Sequence, residues 1–397
     1  MLIKNVSILY GRELECLHNT NVRIYGQFFN EIGTNLAPQR GEEIYDCEGL
    51  FMVPGFINSH THVGDSIAKD IGIDYDVEEK IHPVMGFKQR ILKKTESSHL
   101  ISFVRNSCIS MIKKGITTFV DFREGGVDGI SVLQKALSDL PIRAVTLGRI
   151  EYYQDSKSIR KNIQLPESKK KELRVLLKKC DGVGISGPNE NSDSVLKYYS
   201  KLRKIRAIHS SETAENCKIS KKTTGSTEAQ RAMLLKPHFL VHMTYASKSD
   251  LFLVAKNKAS IVVCPRANAA LAEGIPDVNL MIKMGCNIAI GTDNIMINSP
   301  DMFREMDYLW KVSMGLEKKK LPPKSILKMA TVNASCFLQN KKLGTIEPNR
   351  LADCIFINKH SIDLEPMHNP HAALVHRASE SSINAVMIGG KIVYGRI

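Results

Sequence analysis

The chain has no apolar run long enough to cross a bilayer. A spanning helix takes about 20 apolar residues, and even DVNLMIKMGCNIAIG, residues 277–291, is interrupted by Lys283. The start, MLIKNVSILYGRELEC, lacks the basic head, apolar centre and small-residue cleavage site of a secretory signal. A cytoplasmic protein without a membrane partner is expected. The nine cysteines include no CxxC pair. Most lie in apolar surroundings such as VVCP and ADCIF, so reduced buried thiols are expected rather than a cysteine metal cluster. Low-complexity tracts, Gly/Ser linkers and short repeats are missing too. So is the Gly-rich phosphate loop that often marks a doubly wound sheet.

Acidic charge is in deficit, with 41 Asp and Glu against 55 Lys and Arg, a formal +14. The excess lysine concentrates in ESKKKELRVLLKK (167–179) and LEKKKLPPK (316–324). A polyanion-binding patch is one reading. Neither stretch interleaves aromatics or carries a nucleic-acid motif, and both mix lysine with leucine at helical spacing. Solvated helix faces and no nucleic-acid partner are therefore expected. With 397 residues and 43% hydrophobic content, the chain can bury a large core plus a smaller second domain.

What is present is an alternation of short strands and amphipathic helices. Eight Val- and Ile-rich runs read as parallel strands buried on both faces: 51–59, 115–122, 142–150, 182–187, 205–210, 238–243, 260–265 and 287–293. Helical patterns fall between them. One covers 97–114, and another covers 299–315 with Ser299 as N-cap and Pro300 at the first helical position. Eight strand–helix units predict an α/β protein, a (β/α)₈ TIM barrel over residues 51–344; an open doubly wound sheet is the alternative. Residues 1–50 and 345–397 read as short strands, the last two joined in a hairpin at Gly389-Gly390. Neither end suffices for a stable sheet, so the two are expected to pair into one small β-sandwich domain.

VPGFINSHTHVGDS (53–66) puts His60 and His62 at the end of the first strand. A period of two aims both at one face, yet HxH alone is weak evidence. The fifth strand ends in His209, with Glu212 three residues on. The sixth ends in His242 and the eighth in Asp293. All lie at C-terminal strand ends, the face where barrel active sites are built. Three imidazoles and a carboxylate suit one divalent ion, zinc or iron, with a position left for water. Such an ion lowers the pKa of water toward neutrality, and a nearby carboxylate can take the proton.

Carried by VPGFINSHTH, HSSE, VHMTY, CPRANAALAEGIPDV, GTDNIMINSPDMFREM and LGTIEPNRLADCIFI, the chain resembles the amidohydrolase superfamily over nearly its whole length. The branch is that of the cyclic aminohydrolases: cytosine, guanine and methylthioadenosine/S-adenosylhomocysteine deaminases and triazine chlorohydrolases. The resemblance implies a distorted (β/α)₈ barrel with a β-sandwich made from both chain ends. It implies metal ligands His60, His62, His209 and Asp293, with Glu212 as proton shuttle and His242 orienting substrate or water. The end of strand four, GVGISGPNE, offers no lysine for carbamylation, so one ion is implied. The family usually has Gly-Lys where this chain has Asn349-Arg350. The implied reaction is hydrolytic deamination of an amino-substituted purine, pyrimidine or related heterocycle. Asp293 takes a proton from water and Glu212 delivers one to a ring nitrogen. A homodimer is a further family-level expectation.

The substrate side is read from polar residues near the same strand ends: Arg123 and Glu124 after strand two; Arg149 and Glu151 after strand three; Asn268 after strand seven; Asn294; and His82 in the long segment 63–95, a lid candidate. Arg123 is the first choice, since a charge directly after TTFVDF must leave the buried strand, and its fork would suit a carboxylate, phosphate or carbonyl. Cyclic amide or imidazolone hydrolysis, or displacement of a halide, fits the same scaffold. A non-catalytic binding or assembly protein is disfavoured because every ligand is present.

Overall fold

The structure is a computed structural model and describes residues 1–82, 84–317 and 320–397. Part of the 316–324 lysine stretch and residue 83 of the 63–95 segment thus lie outside the described residues. Eight parallel segments form one sheet in sequence order, from Phe56–His62 through Ile116–Arg123, Arg143–Gly148, Gly182–Ile185, Ile205–Ser210, Phe239–His242 and Ser260–Val263 to Asn287–Ile290. The eighth strand is split. Asn287–Ile290 pairs with Ser260–Val263, and the short piece Asp293–Asn294 pairs with Phe56–His62. One broken strand thereby touches both the seventh and the first, which closes the distorted barrel.

The break is held by fully buried Asn58. Its Oδ1 accepts from the Thr292 amide at 3.0 Å and its Nδ2 donates to Thr292 Oγ1 at 2.7 Å. At Gly291, an added Cβ would lie 2.7 Å from the His60 Cβ, so the two strand ends approach only through a glycine. Beyond it, Asp293 pairs alongside Thr61.

The first expected strand, 51–59, is in fact two. Leu50–Pro54 pairs with Leu2–Tyr10 and Cys354–Asn358 in the terminal sheet, and only Phe56–His62 enters the barrel. The chain changes sheets at Gly55, where a Cβ would sit 2.4 Å from the Thr117 side chain. The two chain ends build one eight-stranded, mostly antiparallel sheet. Its arms share an apolar core in which Ile3, Ile24 and Phe29 of the N-terminal part meet Phe356 and Met387 of the C-terminal part. The expected hairpin is present: Ile388 pairs with Lys391 across Gly389 and Gly390, both at positive φ, as a two-residue turn requires. Asn349, standing where the family usually has glycine, also has positive φ, 65°; asparagine tolerates that region better than most residues.

The helix expected over 97–114 spans Ser97–Lys113. The one expected over 299–315 spans Met302–Glu317, and its cap is Asp301 rather than Ser299. Asp301 Oδ1 accepts from the Arg304 amide at 3.2 Å, leaving Pro300 outside the helix. The first lysine stretch forms helix Glu167–Leu177, burying Leu173 and Leu176 while Lys169 and Lys170 pair with Glu172 and Glu167 on the outer face. No described helix is long and apolar enough to cross a membrane.

Candidate active site

Four imidazoles and two carboxylates converge at the C-terminal strand ends. The Nε2 atoms of His60 and His209 face each other at 3.2 Å. Asp293 Oδ1 lies 3.2 Å from His60 Nε2 and 3.6 Å from His62 Nε2. Donor atoms of His60, His62 and His209 all fall within 4.8 Å of one another, as do those of His60, His242 and Asp293.

The surroundings fix which nitrogen is bare. His209 Nδ1 is 3.1 Å from the Ile185 carbonyl, which can only accept, so that nitrogen carries the hydrogen. His62 Nδ1 donates to Glu124 Oε1 at 2.9 Å. Both rings, when neutral, present a lone pair at Nε2 toward the common centre. Burial pushes His60 down to about 4 and takes His209, beside the other imidazoles, well below the usual range. Burial alone would raise Asp293, but the hydrogen bond and charge of His60, joined by His242 and His62, outweigh it and hold the carboxyl low. Bare imidazole nitrogens and an ionised carboxylate, packed this tightly, fit one divalent cation. Phe122 forms the floor, with its ring edge-on to His60 and His209 at centroid distances of 4.4 and 4.9 Å.

Facing this group are Glu212 and His242. Glu212 Oε1 is 3.2 Å from His242 Nε2. His242 Nδ1 donates to Asn268 Oδ1 at 3.2 Å, and the Asn268 amide in turn donates to Thr244 Oγ1. With the hydrogen on Nδ1, Nε2 is the nitrogen that faces Glu212. Ser211, His242 and Asp293 all have left-handed backbones, φ 52°, 73° and 61°. Such conformations cost about 1–3 kcal/mol each and cluster at functional sites. Here they turn strand ends inward. Ser211 is pinned by its backbone N–H, which donates to Oε2 of the buried Glu228 at 3.0 Å.

A cavity of about 630 Å³ opens above the centre. His82, Arg149 and Asn294 line it, as do Glu212, His242 and Asp293. Two of the expected substrate contacts do not. Asn268 lies beneath His242 as its hydrogen-bond acceptor. Arg123 is 3% exposed and turned away, its guanidinium packed on Gly64 and 3.8 Å from Asp121. The strand's period of two explains this: Phe122 and Glu124 point into the barrel, so Arg123, like Asp121, points out. Of the expected pair Arg123 and Glu124, it is Glu124 that lines the cavity. Lys88, of helix Phe87–Lys94, was not among the expected residues. It is 3% exposed, lines the cavity and sits 2.6 Å from Glu124. Nothing in its local sequence marks it off from the neighbouring lysines.

A barrel with such a cluster at its C-terminal mouth defines a class, the metal-dependent hydrolases. The model of the amidohydrolase family matches residues 51–393, and the chain belongs to that family. A protein of Methanothermobacter thermautotrophicus is 37% identical over 99% of both chains. The 5-methylthioadenosine/S-adenosylhomocysteine deaminase of Thermoanaerobacter pseudethanolicus is 30% identical over 99% of this chain and 93% of its own. Among solved structures, the zinc complex of atrazine chlorohydrolase from Arthrobacter aurescens superposes with a TM-score of 0.83 at 16% identity, covering 99% of this chain and 95% of its own. Guanine deaminase from C. acetobutylicum superposes with a TM-score of 0.82 at 17% identity, covering 99% of both. At these identities the structural likeness speaks for the fold.

Proposed function

We propose that this protein is a metal-dependent aminohydrolase that removes an amino group from a purine, pyrimidine or related heterocycle. The observation that carries the reading is the pairing of two units in one cavity: the donor cluster of His60, His62, His209 and Asp293, and the proton-handling pair Glu212–His242 facing it. The four-residue cluster would hold one zinc ion, the metal of the atrazine chlorohydrolase complex. A divalent ion there supplies water acidified toward neutral pH.

The chain's own groups then divide the work. Asp293, with its carboxyl held low by His60, accepts the proton of the attacking water. Glu212 delivers a proton to the ring nitrogen beside the reacting carbon, which neutralises the charge developing there. His242, fixed by Asn268, directs Nε2 at the same region. The water oxygen bonds to carbon, the proton taken by Asp293 passes to the amino group, and the carbon–nitrogen bond breaks to release ammonia as the hydroxyl proton returns to Glu212 and leaves a carbonyl. A 630 Å³ cavity holds far more than a bare base, which favours a substituted or nucleoside-sized substrate, in keeping with the deaminase relatives.

Metal analysis of the purified protein, combined with ammonia release from a panel of free bases and nucleosides, tests the reading. Turnover of an aminated heterocycle at one metal per chain is the expected result. Opening of cyclic amides or displacement of halide, with no ammonia from any aminated substrate, overturns it. Six of the nine cysteines are buried thiols, which suits the reducing cytoplasm. A homodimer belongs to the same reading, and light scattering measures it.

A further inference from the structure

The helix beside the cavity buries one cation behind the donor cluster. Helix Phe87–Lys94 exposes Arg90, Lys93 and Lys94, as a surface helix should, but buries Lys88. A lysine goes inside only where its charge is matched. Lys88 Nζ meets two carboxylates, Glu124 Oε1 at 2.6 Å and Asp65 Oδ2 at 3.3 Å.

Each carboxylate reaches a different side of the donor cluster. Glu124 Oε1 accepts from His62 Nδ1 at 2.9 Å, on the first barrel strand. Asp65 Oδ2 accepts from Asn294 Nδ2 at 2.7 Å, next to Asp293 on the eighth, and its Oδ1 accepts from the Met296 amide at 3.1 Å, in the turn that follows. Lys88 is therefore the cation joining the supports of the two strands that carry His62 and Asp293. Arg149 is farther from Glu124, at 3.8 Å. If the helix lifts, two buried carboxylates lose the ammonium between them and repel. Glu124 is then drawn from the ring whose Nε2 it orients.

We infer that Lys88 is a positioning residue through which docking of the covering helix Phe87–Lys94 and occupation of the metal centre reinforce each other. The coupling is reciprocal by thermodynamic necessity: metal holds the helix down as strongly as the helix holds metal. The inference rests on the metal reading of the site and is indifferent to the leaving group.

The test uses the full chain, with zinc as the probe. Zinc affinity is measured by chelator competition for wild type, Lys88→Met and Lys88→Arg, and amide hydrogen exchange of residues 87–94 is followed with and without zinc. Loss of a support to a metal-binding histidine typically costs 10- to 100-fold in affinity. Lys88→Met is expected to lose that much, with Lys88→Arg restoring part of it. In wild type, zinc should slow exchange across 87–94. Wild-type exchange in that helix that ignores zinc overturns the inference, whether or not Lys88→Met folds. So does a folded Lys88→Met variant that binds zinc within twofold of wild type. A wild-type protein that binds no zinc overturns the metal reading itself and the inference with it.

Discussion

Glu212→Gln isolates proton delivery from everything else the site does. The glutamate side chain is 15% exposed, and its Oε1 lies 3.2 Å from His242 Nε2. Glutamine has the same shape. Its amide N–H can point at the bare His242 Nε2, mimicking a protonated Glu212 that has nothing to transfer. None of the close contacts among His60, His62, His209 and Asp293 involves Glu212, so metal content should stay at the wild-type level. Positioned acid–base groups contribute about 100- to 10,000-fold, or about 3–5 kcal/mol of barrier. The expected result is a fall in kcat of that size with KM nearly unchanged and an unaltered melting temperature. Asp293→Asn serves as the contrast, because Asp293 touches His60, His62 and His242: turnover should vanish, zinc should bind more weakly, and the fold should persist. Ammonia release under saturating substrate, with metal measured on the same sample, reads both. A Glu212→Gln enzyme within threefold of wild-type kcat would refute the assignment of proton delivery.

Two further perturbations probe what supports the site. Asn58→Ala removes the paired bonds to Thr292 across the split strand; with the Thr292 amide still bonded to the His60 carbonyl, the cost should be about 1–3 kcal/mol, seen as a lower urea midpoint. Glu228, pushed up to about 8 by burial and by Glu190 and Glu212, has a folded pKa above its unfolded one. Its contribution is therefore intact below about pH 4.5 and lost as pH rises through 8. Glu228→Gln does not titrate, so its melting temperature should gain on wild type between pH 5 and 8.5; a constant difference would contradict the buried-acid assignment.

Much of the molecule was legible from sequence because parallel strands buried on both faces leave continuous apolar runs, and such runs end where the functional side chains begin. His60, His62, His209, His242 and Asp293 each terminate a run, which places them on one rim once the runs are wrapped into a barrel. Turn chemistry was equally local: Gly389 and Gly390 announce their hairpin. Other features depended on partners distant in the chain. Gly55 changes sheets because Thr117 leaves no room for a side chain. Arg123 lost its expected role to Glu124 by a one-residue shift in facing, and the reach of Lys88 exists only because residues 65, 88 and 124 meet in space.

The sequence alone determined the order of elements and the rim on which His60, His62, His209, His242 and Asp293 stand, since these follow from local periodicity and strand ends. Tertiary structure decided which nitrogen each ring offers, which charges are buried together and which residues line the cavity. Those depend on hydrogen-bond acceptors such as the Ile185 carbonyl, Glu124 and Asn268, and only the closed barrel brings them within reach.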